Sequence, residues 1–258
     1  MNELVSGAIG VSIQLNANKI YMPDIFDLRD KVIKYIDVCD ELIQDLEGRQ
    51  IDASNSGFIN LVEKDTTNLK INDLPLDMLS LSENKGNRFK INFKCDLVNS
   101  YINWTGETNQ NKSIYIIFWF DEPKTMQQIT NNNVKIDSFE IPIIANGIRE
   151  VSFKENRTLY RKKFRNLLLF APSVSNMITA EGNNSMTDTQ SKNIFLTLQL
   201  QNYAYIRHIP IYVFKQNAVN FEIRLQNVEF DFTNSYLEMP SGLSYSGTSV
   251  MFNAVYQD

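Results

Sequence analysis

Histidine is almost missing from this chain: one residue, His208, in 258. A metal centre with two imidazole ligands therefore cannot be built, and neither can a histidine-rich metal cradle. Cysteine is nearly as scarce. Cys39 and Cys95 are too few for a disulfide framework, and a bridge between them requires their strands to lie side by side. Cys95 continues the alternation of Phe89, Ile91 and Phe93, which makes it a small core hydrophobe. Ten glycines leave little material for a phosphate cradle, and no Gly-rich phosphate loop or zinc spacing occurs. Long apolar runs are lacking too. The most apolar one, Ile114 to Phe120, is too short to span a bilayer and suits a buried strand. The opening residues, Met1 to Gly7, show no cationic leader and read as something other than a signal peptide. We therefore expect a soluble chain suited to a reducing interior or to assembly outside the secretory route. Cations are in deficit, 25 against 30 carboxylates, so nucleic acid is not expected as a specific partner. The most basic stretch, Arg157 to Arg165, interleaves its charges with strand-like residues, as a solvated strand face does.

What the chain does hold is aromatic and aliphatic: 16 Phe, 11 Tyr and 43% hydrophobic residues, a composition fit for pleated, half-buried faces. Strand signals cover Val11–Leu15, Lys31–Val38, Phe58–Val62, Phe89–Cys95, Tyr101–Trp104 and Ser113–Phe120. In the second half they cover Val151–Phe153, Phe164–Phe170, Ile194–Gln201, Ile209–Phe214, Phe221–Phe230 and Ser249–Tyr256. Asn/Gly/Ser/Thr-rich turns separate them. Many short strands at this spacing predict a β-sandwich or barrel. Helix is predicted only at Asp40–Gln50, where Leu42, Ile43 and Leu46 share a face and Gly48 is the stop, and for one turn at Leu76–Ser82. The polar stretch Thr179–Lys192 reads as an exposed loop.

The second half resembles the first. Leu28 to Val38 returns as Leu159 to Leu169 at an offset of 131, with cations repeated at Lys31/Lys162 and Lys34/Arg165. Ile71 to Leu79 returns as Ile206 to Phe214 at an offset of 135, Pro75 falling on Pro210. Ile59 and Leu61 match Ile194 and Leu196 at that same offset. Phe89–Phe93 matches Phe221–Leu225 at 132, and Ser113–Ile116 matches Ser249–Phe252 at 136. Order and spacing held together indicate one β-rich module used twice. The seam falls between Asp121-Glu122-Pro123 and Asn131-Asn132-Asn133, which divides the chain into residues 1–125 and 126–258.

The chemistry-bearing residues do not form motifs. His208 could activate a nucleophile, but it sits in a strand-like run opposite Asp73 of the other copy and reads as structural. The close carboxylates Asp24/Asp27, Asp37/Asp40 and Glu229/Asp231 could serve a glycosidase only if two of them faced each other across a cleft. Trp104, Trp119 and Tyr245 are the aromatics able to stack a sugar. Trp119 lies in the most apolar run and reads as core, which leaves Trp104, beside Thr105-Gly106, as the better candidate. The sequons at Asn103 and Asn156 have no secretory context. No catalytic, cofactor-binding or metal-binding residue is assigned, and the chain reads as a non-enzyme.

Two stretches carry a family resemblance. Met22-Pro23-Asp24-Ile25-Phe26-Asp27-Leu28-Arg29-Asp30-Lys31-Val32-Ile33 resembles a Pro-x-x-x-x-Leu-Arg-Gly-Lys-x-Ile lead into an early strand. Val228 to Leu237, followed by Val250 to Tyr256, resembles a pair of closing strands. Both are similar to the double jelly-roll major capsid proteins of membrane-containing icosahedral bacteriophages. The chain departs from that pattern at Asp30, where the family has glycine, and at Phe232-Thr233-Asn234-Ser235, where it has a Trp-Ser-Lys-Ser-like run. The resemblance implies an all-β fold of two tandem eight-stranded jelly rolls with few short helices. It also implies homotrimeric, pseudo-hexagonal capsomers in an icosahedral shell, assembled in the host cytoplasm over an internal membrane. Neighbouring capsomers, vertex proteins and minor capsid proteins would be the partners. The loops after Gly106 and Glu181 would then form outer towers, and Met1–Leu15 an arm. Two other readings stay open: another virion component (a vertex, decoration or fibre-head protein), and a carbohydrate-binding or hydrolytic double β-sandwich.

Overall fold

The structure, a computed structural model, describes residues 5, 7–40, 42–52, 56–80, 89–121, 134–143, 150–153, 163–170, 188–200, 203–213, 224–229, 231, 233–240 and 248–257. It is all-β. The chain divides into two compact units, Gly7–Pro123 and Lys124–Asp258, the latter with Met1–Ser6.

The first unit contains β1 (Gly7–Leu15), β2 (Lys19–Tyr21), β3 (Val32–Cys39), β4 (Gln50–Ile51), β5 (Gly57–Glu63), β6 (Leu69–Pro75), β7 (Lys90–Trp104) and β8 (Asn109–Asp121). Antiparallel pairing runs β1-β8-β3-β7 on one side and β2-β7-β5-β6 on the other, with the two-residue β4 parallel to β8. β7 serves both layers. Lys90–Lys94 pair with β3, and the run from Cys95 to Trp104 pairs with β5 and β2. Alternate residues of the two layers, including Ile9, Ile36, Ile59, Leu61, Ile102, Ile114, Phe118 and Trp104, meet in one buried cluster that also takes in Cys95. Every residue from Ser113 to Phe120 is buried, so this stretch of β8 has no solvent-facing side.

The second unit repeats the plan. Its strands are β9 (Val134–Ile143), β10 (Glu150–Ser152), β11 (Lys163–Phe170), β12 (Phe195–Leu200), β13 (Tyr203–Pro210), β14 (Arg224–Glu229), β15 (Tyr236–Glu238) and β16 (Thr248–Gln257). They pair β9-β16-β11-β14 and β10-β15-β12-β13. Strand for strand this is the first unit's order, with β14 and β15 standing where the two halves of β7 stand. The irregularities are repeated as well. The register slips between Ile33 and Tyr35 in β3 and between Phe164 and Asn166 in β11. It slips again between Ile59 and Leu61 in β5 and between Leu196 and Leu198 in β12. Beside that second slip, Asp73 (φ 48°) and His208 (φ 52°) take the left-handed conformation at matched positions of the two copies. The Asp73 N–H donates to Asn60 Oδ1 (3.0 Å) and the His208 N–H to Thr197 Oγ1 (3.2 Å). A neighbour's side chain thus takes up the donor that the bulge removes from the ladder.

A third repeated device holds the bend between layers. Asp96-Leu97-Val98-Asn99-Ser100-Tyr101 and Asp231-Phe232-Thr233-Asn234-Ser235-Tyr236 stand in the same relation, again at an offset of 135. In each, the Asn side chain and N–H donate to the Asp carboxylate, with side-chain distances of 2.7 Å in both copies. Each Ser hydroxyl donates to the Asp carbonyl (2.6 and 2.8 Å) and accepts a backbone N–H from the adjacent strand, Val62 at 3.0 Å or Gln199 at 3.1 Å. Both serines are fully buried.

The structure corrects several expectations. Asp40–Gln50 is not a helix: it is a turn-rich loop leading into β4, wrapped around the Asp45 carboxylate as described below. Leu76–Leu79 is a 3-10 turn after Pro75, and residues 211–213 after Pro210 are helical as well, not the strand predicted for Ile209–Phe214. Proline ends the strand in both copies because its missing N–H and fixed φ suit the first position of a turn. The segments Phe89–Cys95 and Tyr101–Trp104 are one strand. Asp188–Lys192, predicted as loop, is a short helix, α1, while residues 179–187 lie outside the described residues. Gly7–Leu15 is not an arm, since β1 pairs with β8 along its length. The matched positions in β5 and β12 stand at an offset of 137, with Phe58 and Phe195 facing Pro75 and Pro210.

Candidate functional site

Of the carboxylates singled out by the sequence, Asp24, Asp37, Asp40 and Asp231 are engaged in folding contacts. Asp37, in β3, is buried and accepts the Trp119 indole N–H at 2.6 Å. Asp40 accepts the Ser80 hydroxyl. Asp24 is exposed and paired with Arg29, whose hydrogen bond holds the Asp24 carboxyl below its ordinary pKa. Asp231 caps the bend described above. The side chain of Glu229 lies outside the described residues.

Sequence reasoning missed a heavily bonded acid. Asp45 is fully buried in the loop between β3 and β4. Its Oδ2 accepts Ser12 Oγ (2.6 Å, from β1), Ser113 Oγ (3.0 Å, from β8) and Arg49 Nε (2.6 Å). Oδ1 accepts the N–H groups of Glu47 (2.9 Å) and Arg49 (2.8 Å). Burial alone pushes this carboxyl's pKa up, but the bonds from Ser12 and Arg49 outweigh it, and the net shift is downward. The only sequence signal is an Asp with Arg four residues on, inside a pattern that otherwise reads as amphipathic helix.

His208 stands on the bulge of β13, its Nε2 3.1 Å from Glu238 Oε2 on β15. Glu238 pairs across to Glu150 on β10, and burial pushes the neighbouring Tyr236 phenol above its usual pKa. Trp104 is buried, with its indole N–H donating to the Glu107 carbonyl at 3.1 Å. A Cβ at Gly106 would come within 2.6 Å of its ring, so glycine is required for the turn to close over the indole. Trp104 is therefore not available to stack a sugar. Trp119 is fully buried, and Tyr245 lies outside the described residues. Cys39 and Cys95 are free buried thiols, and burial pushes Cys95 up to about 12. Among the described residues, no group of three His, Cys, Asp or Glu side chains is placed to hold a metal ion.

Tyr21, Phe26 and Val98 are the most exposed of the large apolar residues described in the first unit, which also include Ile43, Leu69, Met78 and Phe89. Tyr21 on β2 and Tyr101 on β7 are cross-strand partners with ring centroids 5.9 Å apart, and the Lys19 ammonium lies 3.9 Å from the Tyr101 centroid. Phe26, in the 3-10 turn after β2, projects into solvent with the Arg29 guanidinium 5.4 Å from its ring. Beside it is a groove of about 640 Å³, with Ile25, Leu28 and Leu97 as its apolar part and Arg29, Lys64 and Asp96 among its polar residues. Exposed Tyr, Phe and Arg are residue types enriched at protein interfaces, so the composition of this surface suits contact with another macromolecule.

No family model, curated protein or solved structure matches the chain.

Proposed function

We propose that the chain is a viral structural protein, the major capsid protein of an icosahedral shell built over an internal membrane, with two jelly rolls per subunit and trimeric, pseudo-hexagonal capsomers. The observation that carries this reading is the pairing order. Seven strands of the first unit pair as β1-β8-β3-β7 and β2-β7-β5-β6, with β7 in both layers and β4 outside the order, and the eight strands of the second pair as β9-β16-β11-β14 and β10-β15-β12-β13. We read this as the order of a jelly roll, used twice within one polypeptide. A subunit with two like units, repeated about a three-fold axis, presents six similar sides and can tile a surface. Asp30 adds support from the residue level. It adopts φ 67° where the capsid family's pattern has glycine, the residue that takes this conformation at least cost. The carbohydrate reading loses its better aromatic candidate, because Trp104 is buried under its turn.

Light scattering coupled to size exclusion tests the proposal. A stable species of three times 29.8 kDa, seen as hexagonal plates in negative stain, is the expected result. A monomer at all concentrations overturns it.

A further inference from the structure

Because the two units share one strand plan, each acts as a control for the other. Where the plan demands a residue type, both copies carry it, as with Ser100 and Ser235 or Asn99 and Asn234. Where they differ at an exposed position, folding is not the reason. Tyr21 is 57% exposed, Phe26 73% and Val98 52%. Register puts Ser152 at the position of Tyr21, and count along the chain puts Thr233 at that of Val98. By count Phe26 falls on Arg157, which lies outside the described residues. At the first two places the plan is satisfied by small or polar residues, so the large apolar groups of the first unit serve a contact outside it.

Charge indicates what makes that contact. Lys19 is exposed on edge strand β2, opposite Asn103 of β7. In the second unit the same two positions are Glu150, exposed on edge strand β10, and Glu238 of β15. The cationic, aromatic edge of one unit thus has an acidic counterpart with a matching backbone on every other copy of the chain.

We propose that the β2 edge of one copy, carrying Lys19, Tyr21 and Phe26, docks on the β10 edge of a second copy, where the exposed Glu150 receives the lysine. This rests on the capsid reading, since it takes the occupant to be another copy. The contact joins unlike surfaces. It therefore propagates from copy to copy until symmetry closes it, as a shell requires. Tyr21 and Phe26 form its anchor, and the lysine–glutamate pairing sets its register.

The test uses the full chain and substitutions already tolerated by the same plan. Y21S/F26R installs the residues of the second unit. It should raise the concentration for half-maximal self-association, followed by light scattering, by about tenfold or more, while the circular dichroism melt is unchanged. K19E and E150K should each weaken association, and the K19E/E150K combination should recover most of the loss. If Y21S/F26R associates like the parent, or if the charge swap does no better than its single members, the inference is overturned while the capsid reading stands. A parent that never self-associates overturns both.

Discussion

Asp45 illustrates how one side chain can organise a loop. Five donors reach its two oxygens, from β1, from β8 and from its own turn, so the carboxylate stands in for the missing ladder bonds of the segment between β3 and β4. Asp45→Asn removes the charge and turns one acceptor into a donor aimed at donors. We expect a loss of about 2–3 kcal/mol in urea unfolding at neutral pH. The pH dependence follows from the direction of the shift. The folded pKa lies below the ordinary 3.8, so this contribution is complete above that value and disappears as pH falls through the folded pKa. The difference between wild type and Asp45→Asn should therefore be constant near neutral pH and begin to narrow below about pH 4, as the unfolded-state carboxyl starts to protonate. A gap that does not narrow at all as the pH is lowered below that point would show that the charge is not what holds the loop. The same residue explains a misread element. Leu42, Ile43 and Leu46 have helical spacing, but the donors that a helix would use internally are drawn to Asp45, a competition that hydrophobic periodicity does not register.

Among the elements, the bend in β7 and its counterpart between β14 and β15 are held by the same Asp-x-x-Asn-Ser clasp. Ser100→Ala leaves the Val62 N–H without its acceptor in a dry site, and Ser235→Ala does the same to Gln199. Each substitution should cost about 1–2 kcal/mol, seen as a lower thermal midpoint, and Ser→Thr should not restore it if the pocket is as tight as full burial implies. Strands with clear alternation or a continuous apolar run are legible in the sequence, which is why β3, β5, β8, β12 and β16 fall where expected. The short or polar ones, β2, β6 and β15, carry too few apolar residues for alternation to reveal them. The offset of β5 against β12 is the more instructive case. A slip of two residues keeps every side chain on its own face, so the sequence match at 135 looks as good as the true register at 137. The clasp sequence, identical at four of six positions, is legible too, but as repeated polar residues and not as a hydrophobic pattern. Tyr21 and Phe26 were not legible at all, because exposure depends on which neighbours cover a residue.

At the level of the whole molecule, stability should be unevenly distributed. β8 is paired on both sides along its length, with β1 and β3, and buried from Ser113 to Phe120. β6 is an edge strand with mostly exposed residues, bonded within its unit only to β5. Hydrogen exchange followed by mass spectrometry should find the amides of residues 114–120 protected longest in the first unit and those of residues 69–73 released early. Equal rates for the two segments would contradict this arrangement. Duplication, in the same view, is visible in sequence through order and spacing, yet its full extent emerges only from the matching bulges, left-handed residues and clasps.

The continuity of β7 has a mechanical consequence. One unbroken length of backbone is woven into both sheets of the first unit, and Ser100 ties it to β5 just past the crossing point. Sliding one layer over the other would have to stretch covalent bonds or first undo that knot. Shear is therefore resisted by the chain itself, and not by side-chain packing alone.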